Sequence, residues 1–111
     1  MKLSYEDHST ISVVTISGEL TADQADAFRR ACQDRLHSGA AHIILELEYL
    51  TLIDSAGLEL LLWLLEEIGK KRGQLRLVKP DDNVMKALHL TRLDRRFGIC
   101  DTVEAAARSL R

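Results

Sequence analysis

The segment Asp54-Ser55-Ala56-Gly57 sets a carboxylate, a hydroxyl and a glycine between two strongly apolar stretches. Three chemistries use such residues. A serine can act as a nucleophile. Here, however, the local order Ile53-Asp54-Ser55-Ala56-Gly57 is not the G-x-S-x-G of a nucleophile elbow, and His8, His37, His42 and His89 stand in no catalytic or metal-ligand arrangement. A glycine turn can cradle a phosphate, but Gly57 stands alone and no lysine follows it as in a P-loop. A serine can also receive a phosphate. The modification adds about −1.5 to −2 charges, and at a helix N-terminus these meet unpaired N–H groups and the positive end of the helix dipole. The fold then tolerates the phosphate, whereas a partner docked over it must desolvate or oppose a dianion beside Asp54. At about 1.4 kcal/mol per tenfold in affinity, a hundredfold switch is within reach. A purely structural reading competes with all three, because Asp and Ser are preferred helix N-caps. On local sequence alone that structural reading carries the most weight.

The elements around the cluster follow from hydrophobic period and punctuation. Leu3 to His8 reads as a short strand, and the β-branched run from Ile11 to Gly18 as a longer one. Thr21 and Gln24 have capping-box spacing at the start of a first helix that Gly39 ends. Residues 41–48 form a second clear strand, Asp54 to Arg72 a second helix ended by Gly73, and residues 74–80 a strand stopped by Pro80. A short helix over residues 81–91, a strand at Phe97 to Cys100 and a last helix from Asp101, with Glu104 at capping-box spacing, complete the chain.

This alternation predicts an α/β fold with a mixed, mostly parallel sheet of about five strands and right-handed crossovers. Ile43, Leu45 and Leu47 share one face of their strand and His42, Ile44, Glu46 and Glu48 the other, so helices should cover mainly one face of the sheet. Asp54 and Ser55 then fall between a strand region and a helix, where parallel α/β proteins place functional groups.

With 111 residues the chain has the length of one domain, 1–111. A net charge of −2 argues against a general nucleic-acid footprint or an electrostatic hold on an anionic membrane. The longest apolar run, Leu58 to Leu65, is broken by Glu59 and falls short of the roughly 20 residues that span a bilayer. The N-terminus lacks the apolar core of a signal peptide, so no membrane insertion and a cytoplasmic location are expected. Cys32 and Cys100 lie far apart, in no C-x-x-C arrangement, and read as two reduced, mostly buried thiols, with a disulfide the lesser alternative.

Leu52-Ile53-Asp54-Ser55-Ala56-Gly57-Leu58, following an apolar strand and opening a Leu-rich helix, resembles the signature of STAS domains, in particular bacterial anti-sigma factor antagonists. Ser17-Gly18-Glu19-Leu20 resembles the turn before the family's first helix, and residues 75–106 resemble its C-terminal half. The resemblance implies a binding switch and not an enzyme. Unphosphorylated, it binds a serine-kinase anti-sigma factor and releases the sigma factor; the kinase then phosphorylates the serine, and a metal-dependent serine phosphatase restores it. Carried over, Ser55 is the phosphoacceptor, Asp54, Ala56, Gly57 and Leu58 are its partner-facing neighbours, and Glu19, Leu20, Thr21 and Asp23 belong to the same docking surface. ATP and magnesium belong to the kinase, so this chain needs no cofactor. One departure concerns the family's G-E-L-D turn: Thr21 stands where the acid is common, and the acid follows at Asp23. The alternative is a STAS accessory or regulatory subunit of another assembly, such as a membrane transporter complex, without a serine switch.

Two further features stand outside the resemblance. Placing the second helix at 100° per residue puts Leu58, Leu61, Leu62, Leu65, Ile68 and Gly69 toward the core, and Leu60 and Trp63 outward with Glu59, Glu66 and Glu67. An outward Trp63 is a contact surface for a partner or a second copy in a weak homodimer, with cover by a neighbouring segment an alternative of at least equal weight. Arg92, Arg95 and Arg96 read as a solvated loop paired to nearby carboxylates in preference to a nucleic-acid contact.

Overall fold

The computed structural model describes residues 1–110. β1 (Lys2–His8) and β2 (Ile11–Leu20) form an antiparallel hairpin, and the β-branched residues of β2 suit a pleated surface. Thr21 and Gln24 meet as their spacing predicts: the Gln24 side-chain oxygen accepts from the Thr21 N–H at 3.0 Å and from its hydroxyl at 2.6 Å. A 3-10 turn, Ala22–Gln24, leads into α1 (Ala25–His37), beyond whose end Gly39 adopts a φ of 107°. That left-handed conformation costs glycine little and lets the chain leave the helix sharply.

β3 (His42–Glu46) pairs with β2 in parallel from Ile11–His42 to Thr15–Glu46. A further strand, β4 (Leu50–Ile53), continues along the same side of β2, pairing Glu19 with Leu52 and Leu20 with Ile53 after a register shift. α2 (Ser55–Lys70), β5 (Leu75–Val78), α3 (Asp82–Leu90), β6 (Gly98–Cys100) and α4 (Val103–Ser109) follow. The sheet order is β1-β2-β3-β5-β6, parallel except for the first pair, with β4 attached to β2. The mixed, mostly parallel architecture agrees with expectation. The sheet has six strands in place of about five, because β4 is a separate short strand.

Helices α1, α2 and α3 bury Phe28, Leu61 and Val84 among others against Val14, Ile16, Ile43, Leu45 and Leu77 on one face of the sheet. Among the described residues only α4 lies on the other face, where Ala106 packs on Ile44 and Val78. The rest of that face forms an open cleft lined by Ser4, Glu6, Thr15, Glu46 and Glu104, so helices cover mainly one face. Among the described residues no helix is long and apolar enough to cross a membrane.

The face of α2 differs from the sequence expectation. Its buried residues are Gly57, Leu58, Leu60, Leu61, Leu64 and Ile68; Leu62 and Leu65 are partly exposed, and Gly69 is exposed. Leu60, expected outward, is only 1% exposed. Trp63 is half-buried with the Arg29 guanidinium 6.0 Å from its ring, so of its two expected roles, contact surface or residue covered by a neighbouring segment, α1 supplies part of the cover. Each of the buried leucines contributes about 1.5–3 kcal/mol of apolar burial, which holds the start of α2 firmly in place. Smaller corrections concern caps and charges. Arg72, not Gly73, takes the left-handed conformation after α2, at φ 60°. Thr102, not Asp101, caps α4 by accepting the Ala105 N–H at 3.0 Å. The carboxylate of Asp94 lies 2.9 Å from His89 and leaves the exposed Arg92, Arg95 and Arg96 to solvent.

Candidate functional site

The site is built where β4 turns into α2. β4 delivers Asp54 in an extended conformation at the N-cap, with φ −104° and ψ −173°. Its Oδ1 accepts the Gly57 N–H at 2.8 Å, and its backbone carbonyl accepts the Leu58 N–H at 3.0 Å. Asp54 is therefore the cap, and Ser55 is the first residue within the helix. Ser55 is exposed, and its hydroxyl makes no hydrogen bond among the described residues. With the Gly57 and Leu58 N–H groups taken by Asp54, those of Ser55 and Ala56 are left without a partner within the helix beside the Ser55 hydroxyl.

The turn after β2 lies beside this cluster. The Leu20 carbonyl accepts the Asp54 N–H at 3.4 Å, and Leu20 pairs with Ile53 across the two strands. Glu19 is exposed at the end of β2, not in the turn where the resemblance places it; Asp23 is exposed in the turn and Thr21 is half-buried, its side chain engaged with Gln24. Of the nine residues assigned to the surface, Glu19, Asp23, Asp54 and Ser55 are exposed and Thr21 and Ala56 partly so. Leu20, Gly57 and Leu58 are buried and offer a partner no surface; they act from beneath.

Two neighbours escaped the sequence reading. Leu52, 46% exposed on β4 and paired with Glu19, adds an apolar element to the same surface. Glu59, exposed one turn beyond Ser55, adds a fourth acid to Glu19, Asp23 and Asp54. The segments 17–24 and 54–59 contain no lysine or arginine, so the surface around Ser55 is acidic. Elsewhere, Cys32 is fully buried and desolvation pushes its thiol up to about 12, which makes it an inert core residue.

The sequence pattern of the STAS domain matches residues 2–106. The chain belongs to the STAS domain family. A Thermotoga maritima protein assigned as an anti-sigma factor antagonist is 31% identical to this STAS domain over 108 residues, covering 96% of each chain. An anti-sigma F factor antagonist of Paenibacillus polymyxa is 26% identical over 102 residues, covering 91% of this chain and 87% of its own. Among solved structures, a crystal structure of a Thermotoga maritima protein assigned as an anti-sigma factor antagonist superposes with a TM-score of 0.90. It is 29% identical and covers 97% of this STAS domain and 93% of its own chain.

Proposed function

We propose that this STAS domain is an anti-sigma factor antagonist controlled by phosphorylation of Ser55. Unphosphorylated, it binds a serine-kinase anti-sigma factor through Glu19, Thr21, Asp23, Asp54, Ser55 and Ala56, and so frees the sigma factor. The kinase transfers the terminal phosphoryl group of ATP to the Ser55 hydroxyl and releases ADP; a metal-dependent serine phosphatase hydrolyses the phosphoserine and restores binding. The observation that carries the reading is the division of labour at the start of α2: Asp54 caps the helix, and the Ser55 hydroxyl is left exposed and uncommitted. A phosphate there disturbs no packed group of the domain. It does add about −1.5 to −2 charges to a surface already carrying four acids, and a partner shaped for the unmodified surface must desolvate or oppose them.

The test compares wild-type, Ser55→Ala and Ser55→Asp baits in pull-downs from the native cell extract, read by mass spectrometry. Wild type and Ser55→Ala are expected to capture an ATP-binding serine-kinase protein, and Ser55→Asp to lose it at least a hundredfold. Capture of the same membrane-associated assembly by all three baits would overturn the switch in favour of an accessory-subunit role.

A further inference from the structure

We infer that Gly57 is a positioning residue that locks the end of β2 and the turn after it, which carry Glu19, Thr21 and Asp23, to the turn carrying Ser55, so that the two form one rigid recognition unit. The inference deepens the reading of Ser55 as the partner-facing phosphoacceptor and rests on it. Gly57 is the third residue of α2, and its backbone is not in the left-handed region, so the conformation does not call for glycine. Within a helix alanine is the more favourable residue. The requirement is space: a β-carbon on Gly57 would overlap the Leu20 carbonyl oxygen and lie 2.6 Å from Ile53 Cγ1. The isoleucine side chain can turn aside, but the carbonyl belongs to the backbone of β2 and already accepts the Asp54 N–H at 3.4 Å. Gly69, in the same helix, is a built-in control, because a β-carbon there would meet nothing within 4 Å.

The absence of a side chain at Gly57 therefore sets how closely the start of α2 rests on the end of β2, and with it the distance from Ser55 to residues 19–23. An alanine lifts the helix start off the Leu20 carbonyl and separates the two halves of the surface, although Gly57 itself touches no partner.

The test uses the full chain. Amide spectra of wild type and Ser55→Asp are compared first; a charge at position 55 is expected to shift the amides of residues 19–23 as well as those of 55–59. In the Gly57→Ala background the response at 19–23 should be lost, and in the Gly69→Ala background it should persist. Pull-down of the kinase-like protein should fall at least tenfold for a Gly57→Ala bait and be unchanged for Gly69→Ala. Shifts confined to residues 54–59 in otherwise wild-type protein overturn the inference, and this arm decides even if Gly57→Ala does not fold. So does undiminished capture by a folded Gly57→Ala bait. If the two turns respond together while capture ignores Ser55→Asp, the Ser55 switch fails and the mechanical lock stands.

Discussion

Replacing Asp54 by alanine removes the acceptor of the Gly57 N–H and leaves an unpaired donor in the first turn of α2. Loss of an N-cap of this type costs about 1 kcal/mol, which in a domain of this size lowers the melting temperature by about 4 °C. Asp54→Asn keeps an acceptor and should restore most of that loss in calorimetry. Ser55→Ala, at an exposed hydroxyl without a partner, should change stability by less than about 0.5 kcal/mol. If Ser55→Ala proved the more damaging, the hydroxyl would be doing the capping and the switch would lose its basis. The sequence showed two good caps side by side and could not choose between them. The choice depends on where β4 stops: its pairing with β2 runs to Ile53, which makes Asp54 the first residue free to turn and cap.

At the scale of elements, the phase of α2 decides which leucines matter. Leu60 is buried and Leu65 only partly so, although the sequence places them the other way round. Leu60→Ala should cost about 2–5 kcal/mol as a cavity in the core, and Leu65→Ala clearly less. Urea denaturation of both variants checks the ordering, and the reverse order would reinstate the phase read from sequence. The β-branched strands and the first helix, with Thr21 and Gly39 at its ends, were legible because period and punctuation agree there. In α2, leucine occupies positions 58, 60, 61, 62, 64 and 65, so nearly every direction is apolar and periodicity alone fixes no face. β4 escaped for a related reason. Its four residues alternate in no simple way, with Leu50 and Ile53 buried and Thr51 and Leu52 exposed, and its existence follows from non-local pairing with the end of β2. The candidate site shows the same split: Asp54, Ser55 and Gly57 announce themselves locally, whereas the contact of Leu20 with Gly57 joins residues far apart in the chain.

The whole molecule is asymmetric, with a dense core under α1, α2 and α3 and an open opposite face that α4 only partly covers. A switch that changes only surface charge needs that core to stay rigid while the surface is rewritten, and Cys32 reports on it. Burial raises its pKa from 9.0 to about 12, so between those values the unfolded chain releases a proton that the folded chain retains. The unfolded state then binds fewer protons, and stability falls as pH rises through this window, by at most about 1.4 kcal/mol per unit. Below pH 9 the thiol is neutral in both states and contributes no slope. Comparison with Cys32→Ala isolates the contribution of this thiol. Between pH 8 and 10.5 the wild type should lose about 2 kcal/mol more unfolding free energy than the variant in urea titrations, if the folded thiol stays fully protonated. Parallel losses would mean that Cys32 ionises in the folded protein. The core under α1 and α2 would then open to water too readily to serve as a fixed platform for the switch.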